Sequence, residues 1–346
     1  MYKKVFHFKE KDCTVFFNDS FSRLEKIVDK NNAILIIDKN VFKKHQRTFI
    51  GWKTIVCERG EENKNETVVH SIITQLIILG ANRQTFLIGI GGGVVTDITG
   101  FVAGIYIRGI RFGFFPTTIL SMVDAALGGK NGINSGLYKN MIGLIQQPDF
   151  IVYDKKFLHS LPQKEWVNGF AEIIKHACIR DRNLFNYMEK NELKDFQNDS
   201  RKLDKLIQKN VHLKMKIVQE DPYEKSVRKL LNFGHTLGHA IENEFKLPHG
   251  FAISIGMAAA AKFSMNILHF KEVERVINLL KKYGLPIHKK MNAKNIFAIM
   301  QKDKKSRNDS IDYILLEQIG KAIIYPIPLS QLLIEMQKLP NAVYHS

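Results

Sequence analysis

Thr85-Phe-Leu-Ile-Gly-Ile-Gly-Gly-Gly-Val-Val-Thr-Asp97 is the stretch whose reading decides the fold. Thr85–Ile90 has the length and composition of a buried strand, it runs straight into glycines, and a helical pattern begins near Val94. A strand, a glycine cluster and a helix in that order let backbone N–H groups approach a pyrophosphate. The match to the dinucleotide fingerprint is partial, because the third glycine is displaced, and glycine turns after strands are common. Asp97 falls in the first helical turn, where capping or dipole complementation is the ordinary use of a carboxylate.

Upstream, Ala33–Ile37 reads as a buried strand ending at Asp38-Lys-Asn40, residues 54–57 as a second strand, Gly60–Lys64 as a polar turn, and 66–79 as a helix closed by Gly80. Downstream come a strand over 111–115, Pro116-Thr-Thr118, a glycine-rich loop from Asp124 to Asn140, and a last strand at Phe150–Tyr153. This alternation predicts an α/β domain with a parallel sheet. The loop holds Lys130, Asn134, Lys139 and Asn140, a composition suited to anions, with Leu127, Ile133 and Met141 as its apolar anchors.

From Leu161-Pro162 onward apolar residues recur at helical spacing with little strand signal. The boundary therefore falls near 155–162, giving domains 1–157 and 158–346. Helices are expected over 165–179 (Glu172, Lys175, His176), 201–220 (Lys214), 251–268, 272–283 and 293–302. Arg228-Lys-Leu-Leu-Asn-Phe-Gly-His-Thr-Leu-Gly-His-Ala-Ile-Glu242 reads as one further helix. In that form Arg228, Asn232, His235 and His239 share a face opposite Leu230, Leu231, Phe233, Leu237 and Ile241. Gly234 and Gly238 each cost ~1 kcal/mol inside a helix, so another backbone or a ligand is expected close by. Glu172, His235 and His249 have the chemistry of a two-His, one-carboxylate site of the open catalytic type. On spacing alone His235 and His239, at i and i+4, are also a helical metal pair, although the glutamate of a zinc-protease motif is missing.

The 346 residues suffice for two domains, and 45% hydrophobic with 25% charged residues is an ordinary globular composition. No run approaches the ~20 apolar residues of a membrane span, and the N-terminus has no apolar signal region. Cys13, Cys57 and Cys178 are scattered without metal-type spacing, which fits reduced thiols in the cytoplasm. A net charge of +17 admits a nucleic acid, a small anionic substrate, or no more than Lys-rich composition. The cations are spread along the chain beside acids, with no aromatic-interleaved basic stripe. A small anion is thus the expected partner, with no nucleic acid and no membrane.

Gly91–Gly104, Gly128-Gly-Lys130, Lys139-Asn140, Ala171-Glu-Ile-Ile-Lys-His176 and Leu231-Asn-Phe-Gly-His-Thr-Leu-Gly-His239 together closely resemble the 3-dehydroquinate synthase family, in order from about Asp38 to Lys305. The resemblance implies a Rossmann-like N-terminal α/β domain, an all-α C-terminal domain, a site in the cleft between them, and a homodimer. It implies a lyase that converts 3-deoxy-D-arabino-heptulosonate 7-phosphate to 3-dehydroquinate and phosphate, the second step of the shikimate pathway toward chorismate and the aromatic amino acids. NAD and a divalent metal, zinc or cobalt, are the implied cofactors. The chemistry runs through oxidation, phosphate elimination, reduction and intramolecular aldol closure.

By the same resemblance Glu172, His235 and His249 are the metal ligands. Asp38, Asn40, Glu61 and Lys64 contact NAD, as do Gly93, Val94, Val95, Thr96 and Asp97. Thr117, Thr118 and Lys139 join them, with Phe157, Leu158, His159 and Ser160; Lys130 lies within reach of cofactor and substrate alike. Lys130, Asn140, Asn232, His239 and Lys304 surround the substrate phosphate, and Lys214 with Arg228 holds its carboxylate. Asp124 and Lys175 contact hydroxyl groups, and Arg108 reaches into the neighbouring subunit's site. His239 either helps to move protons or is a hydrogen-bonded structural histidine. The sequence departs from the family's habit at Phe251, Asn131 and Ala125-Ala126, none of which removes a ligand or a cation. The rival readings are another sugar-phosphate cyclase on the same fold, a metal-dependent polyol dehydrogenase, and a basic nucleic-acid-binding protein.

Overall fold

The computed structural model describes residues 2–136, 138–303, 309–339 and 342–343. The chain divides into two compact units, Met1–Trp166 with Asp204–Tyr223, and Val167–Leu203 with Glu224–Ser346.

In the first unit an antiparallel pair, β1 (Tyr2–His7) and β2 (Asp12–Phe17), opens the chain. Then follow β3 (Ala33–Asp38), α1 (Lys39–His45), β4 (Lys53–Cys57), α2 (Glu66–Ile78), β5 (Phe86–Gly91), α3 (Gly93–Ile105) and β6 (Arg111–Pro116). A hairpin of β7 (Lys130–Ser135) and β8 (Tyr138–Ile145) precedes β9 (Phe150–Val152). Seven strands form one sheet in the order β1-β2-β9-β6-β5-β3-β4, parallel except at β1–β2. Leu35, Ile37, Ile88, Ile90, Phe115 and Val152 are buried in one core cluster, which explains why these strands read as continuous apolar runs. The sheet reverses its winding at β3, because β4 lies on one side of it and β5 on the other. Asp38 and the Gly91–Gly93 turn stand at the carboxyl ends of β3 and β5, where open α/β sheets bind ligands.

The expected glycine-rich loop is ordered differently. A helical turn at Ser121–Ala125 leads into the β7–β8 hairpin, so much of the segment is strand. Leu127 and Ile133 are buried as expected, but Met141 is 62% exposed. The glycines that suggested a loop instead let the two strands approach: a Cβ on Gly143 would lie 2.6 Å from the Asn131 carbonyl oxygen.

The second unit is rich in helix. α4 (Gln163–Arg180) leads into it, followed by α5 (Arg182–Lys190), α6 (Leu193–Asn198) and α7 (Ser200–Glu220). Residues from Asp204 onward in α7 pack with the first unit. α8 (His235–Phe245), α9 (His249–Leu268), α10 (Val273–Lys282), the short strand β10 (Met291–Asn292) and α11 (Ala293–Asp303) continue the unit. A hairpin of β11 (Ser310–Gln318) and β12 (Lys321–Pro328), which the sequence reading left out, precedes α12 (Leu329–Gln337) and β13 (Ala342–Val343). α9 is long and apolar enough by composition to cross a membrane, against the expectation that no such run exists, and two-thirds of that window is buried. A helix apolar all round is what the centre of a helical unit requires.

The stretch Arg228–Glu242 is not one helix. A 3-10 turn covers Val227–Asn232, Gly234 takes a left-handed conformation with φ of 80°, and α8 starts only at His235. The single face predicted for Arg228, Asn232, His235 and His239 is therefore broken at Gly234. The reason is the approach of α9. A Cβ on Gly256 would lie 1.9 Å from the Gly234 carbonyl oxygen, and one on Gly238 would lie 3.0 Å from the Ile253 Cα. The close backbone expected from this glycine pair is α9. Gly256→Ala forces α8 and α9 apart; overpacking of this kind costs about 1–3 kcal/mol, so the variant should melt several degrees lower in calorimetry.

Candidate active site

Three helices each deliver one group to a common point in the second unit. α4 contributes Glu172, which has no exposed surface; α8 begins with His235 and α9 begins with His249. The joint between α4 and α9 is a backbone contact. Gly250 N–H donates to Asn168 Oδ1 at 2.7 Å, and a Cβ on Gly250 would lie 2.0 Å from the Asn168 carbonyl oxygen. Asn168 and Glu172 are one helical turn apart, so this contact brings the carboxylate to His249. His249 is the first helical residue of α9, two positions before the helix start expected at 251, and follows Pro248.

Nε2 of His235 and Nε2 of His249 each lie 3.7 Å from Glu172 Oε1, and the three ligand atoms all fall within 4.8 Å of one another. Four-coordinate zinc with bonds of about 2.0–2.1 Å spaces its ligands about 3.3 Å apart, so the triangle is slightly open and encloses a cation of that size. The outer nitrogens are also committed. His235 Nδ1 faces the Phe233 carbonyl at 3.2 Å, and His249 Nδ1 faces Glu242 Oε2 at 3.3 Å. Histidines that ligate a metal characteristically donate their other N–H in this way, which aims Nε2 inward. The residues present therefore fit a divalent metal of the zinc type.

The electrostatics of the site differ between its two imidazoles. Burial, with the Lys175 ammonium next in weight, pushes His235 well below the usual histidine range. Burial acts the same way on His249, but hydrogen bonds to Glu172 and Glu242 outweigh it and raise this imidazole to about 10. Without a metal His249 is thus a cation held between two carboxylates, while His235 is neutral. Lys175, three residues from Glu172 on α4, is almost fully buried and forms an ion pair with that carboxylate. His239 stands one turn beyond His235, with its ring 5.2 Å from His235 and 6.0 Å from His249. These five predicted residues form one cluster. Arg228 is 2% exposed, on the 3-10 turn rather than on α8. Asn232, at the end of that turn, donates from Nδ2 to Glu224 Oε1 at 2.8 Å. Lys304 lies outside the described residues.

The first unit gathers a second group. Lys64 is buried; its Nζ pairs with Asp97 on α3 and donates to Asn140 Oδ1 at 2.5 Å, with Glu61 at 4.0 Å. Burial pushes the Asp97 carboxyl up, and the adjacent Lys64 opposes that shift. α3 has no side-chain cap, so the N–H groups of Gly93, Val94 and Val95 are orphans of the kind that bind phosphate oxygens; Thr96 is already bonded to Gly92 and Gly93. Thr117 is buried with its N–H on the Gly91 carbonyl, and the Thr118 hydroxyl meets Ser121 at 2.9 Å. Asp38 caps α1, accepting from the N–H groups of Asn40 and Val41. Phe157 and Leu158 point into the core and His159 is exposed; the Ser160 hydroxyl donates to the Phe157 carbonyl at 3.2 Å, and the Ser160 carbonyl accepts from Lys44 Nζ. Asp124 accepts from Lys214 Nζ at 2.6 Å through its carboxylate and at 2.8 Å through its carbonyl. Lys130 and Lys139 lie on β7 and β8, with Lys130 exposed. Arg108 is exposed with φ of 65°, next to Ile107 at 48°, a conformation unusual for a β-branched residue.

The sequence reading missed Glu242 and Asn168. Glu242 lies seven residues from His235 and three from His239, on the same helical face, and that spacing was the available signal. Asn168 carried no signal, because its role is a contact between helices distant in the chain.

Residues 54–168 match the 3-dehydroquinate synthase N-terminal family and residues 169–306 the 3-dehydroquinate synthase C-terminal family. The 3-dehydroquinate synthase of Saccharolobus solfataricus is 39% identical over 321 residues, covering 90% of this chain and 91% of that protein. That of Helicobacter pylori is 38% identical over 343 residues, covering 95% and 97%. Among solved structures, a 2-deoxy-scyllo-inosose synthase complexed with carbaglucose-6-phosphate, NAD+ and Co2+ superposes with a TM-score of 0.85 at 26% identity, covering 97% of this chain and 99% of that one.

Metal ligation requires a neutral His249, and this imidazole, at about 10, is protonated at neutral pH in the metal-free chain. A group that loses its proton on binding makes binding tighter as pH rises. Zinc titrated into the metal-free protein at pH 7 should therefore release close to one proton, read by calorimetry in buffers of different ionisation enthalpy. Glu242→Gln removes one of the two charges that hold the proton, so it should lower that count and weaken zinc by about 10–100-fold.

Proposed function

The chain belongs to the 3-dehydroquinate synthase family, and we propose that the Glu172–His235–His249 site and the cluster around Lys64 and α3 are the working parts of that reaction. The enzyme is a lyase that converts 3-deoxy-D-arabino-heptulosonate 7-phosphate to 3-dehydroquinate and phosphate. The observation that carries the assignment of parts is the inward-aimed triangle of two imidazoles and one buried carboxylate. When bound, NAD supplies reversible hydride acceptance and the divalent metal supplies Lewis acidity toward adjacent hydroxyl groups.

The chain's own residues bind, orient and move protons. The orphan N–H groups of Gly93–Val95 and the polar group Glu61, Lys64 and Asp97 suit a dinucleotide, with Asp38, Asn40, Thr117, Thr118, Lys139 and the Phe157–Ser160 backbone beside it. Lys130, Asn140, Asn232, His239 and Lys304 bind the substrate phosphate, for which compact ammonium groups and amides are suited. Arg228 and Lys214 bind the carboxylate, where a planar guanidinium gives two-pronged recognition. Asp124 and Lys175 hold hydroxyl groups. The His239 imidazole, beside the ligand histidines without being one of them, takes and returns the proton of the reacting hydroxyl. Another sugar-phosphate cyclase is the alternative. Retention of two carboxylate-binding cations, Arg228 and Lys214, favours the heptulosonate, which carries a carboxylate as well as a phosphate.

A homodimer and a cytoplasmic location complete the reading. Tyr138, Met141, Ile142 and Ile145 on β8 and Ile105 at the end of α3 are exposed apolar residues, and Ile105 is followed within three residues by the strained Arg108 turn. An apolar edge strand of this kind calls for a cover, and a second copy would also place Arg108 at its neighbour. Cys13, Cys57 and Cys178 are buried free thiols, as a reducing compartment allows. Met141→Asp with Ile145→Asp should convert a dimer to monomers in sedimentation; a wild-type monomer would sink the dimer.

The reaction returns its hydride to the substrate, so NAD acts as a catalyst. With heptulosonate phosphate in large excess over NAD, free phosphate should accumulate through many turnovers with no net rise in NADH absorbance. NADH rising in step with product would overturn the cyclase in favour of a dehydrogenase.

A further inference from the structure

The β7–β8 hairpin is irregular at one point. Ile133 faces Ile142 and Ser135 faces Tyr138, so the single residue Asn134 stands opposite Lys139, Asn140 and Met141. Such a bulge leaves ladder groups unpaired and re-aims side chains, and bulges are over-represented beside active sites. Asn140 takes a left-handed conformation there, with φ of 51°. Its N–H is caught by Asn134, whose Oδ1 accepts it at 2.9 Å.

The other end of the Asn134 amide reaches a different part of the unit. Nδ2 donates to Glu61 Oε1 at 2.9 Å and to the Glu61 carbonyl at 3.3 Å, and the Asn134 backbone N–H donates to the Lys64 carbonyl at 2.8 Å. Lys64 closes the loop, donating from Nζ to Asn140 Oδ1. One side chain thus ties the turn that carries Glu61 and Lys64 to the bulge that carries Asn140.

We propose that Asn134 is a positioning residue that couples the cofactor-binding turn at Glu61–Lys64 to the substrate-binding residue Asn140. Each partner is held by its own arm of the amide: the Asn140 N–H, which has no ladder partner at the bulge, by Oδ1, and the Glu61 side chain by Nδ2. Occupancy of the turn by the dinucleotide therefore fixes the bulge, and occupancy of the bulge fixes the turn, as linkage requires. The inference rests on the cofactor and substrate roles proposed above for Glu61, Lys64 and Asn140.

The test uses the zinc-loaded full chain. Asn134→Ala removes both arms and should raise the Kd for NAD and the KM for heptulosonate phosphate by about tenfold each, the effect of losing one hydrogen bond to a charged or functional group. Asn134→Asp keeps an acceptor for the Asn140 N–H but sets a carboxylate against Glu61. It should raise the NAD Kd about as much while leaving KM within about twofold of wild type. A residue that only closed the bulge would lower Tm without this split. Asn134→Ala with both constants within twofold of wild type overturns the proposal, and so does Asn134→Asp with KM raised as far as in the alanine variant. If the alanine variant fails to fold, the aspartate variant decides alone by the same split. A wild-type chain that releases no phosphate from the substrate would sink the function reading instead, and would do so before any variant is compared.

Discussion

A carboxylate with no exposed surface is the constraint on which the second unit depends. Taking Glu172 out of water is costly unless cations and hydrogen-bond donors surround it, and an uncompensated charge would neutralise itself. Lys175 supplies one cation from the same helix, and His249, charged in the absence of a metal, supplies another. A divalent ion at the same point would take over from the imidazole proton, since both are positive charges placed between the same carboxylates. The site is therefore a charge balance with an exchangeable member, and that is what a metal-binding enzyme needs in both its loaded and empty states.

Holding three groups at one point is a backbone problem before it is a side-chain one. α4 meets α9 at Gly250, and α8 meets α9 at Gly234 and Gly256, with approaches that no Cβ would tolerate. These contacts set where each helix starts, and His235 and His249 are the first residues of α8 and α9. Groups at helix starts are carried on rigid elements whose positions are set by packing, and Glu242 faces His249 Nδ1 at 3.3 Å, which orients the ring.

The first unit is built differently. It offers N–H groups at the start of α3 and a mesh of amides and one ammonium joining Glu61, Lys64, Asp97, Asn134 and Asn140. Such a mesh is polar yet largely satisfied internally, so it keeps its shape without occupying a ligand's place.

The sequence by itself determined the strands β3 to β6, the helices α2 and α3 and the parallel α/β class, because buried parallel strands and amphipathic helices are local patterns of apolar residues; the short helix α1 went unread. It also determined the chemistry: two imidazoles, one carboxylate and a surplus of Lys and Arg suited to an anionic substrate. Motif order carried the family. What only the tertiary structure decided is how these pieces meet. The break at Gly234, the strand character of 130–145 and the core position of α9 follow from which surfaces approach one another, and local periodicity contains no record of that approach. The role of Asn134 was invisible for the same reason: its amide reaches Glu61, 73 residues away in the chain, and a hydrogen bond between distant residues exists only once the fold has brought them together.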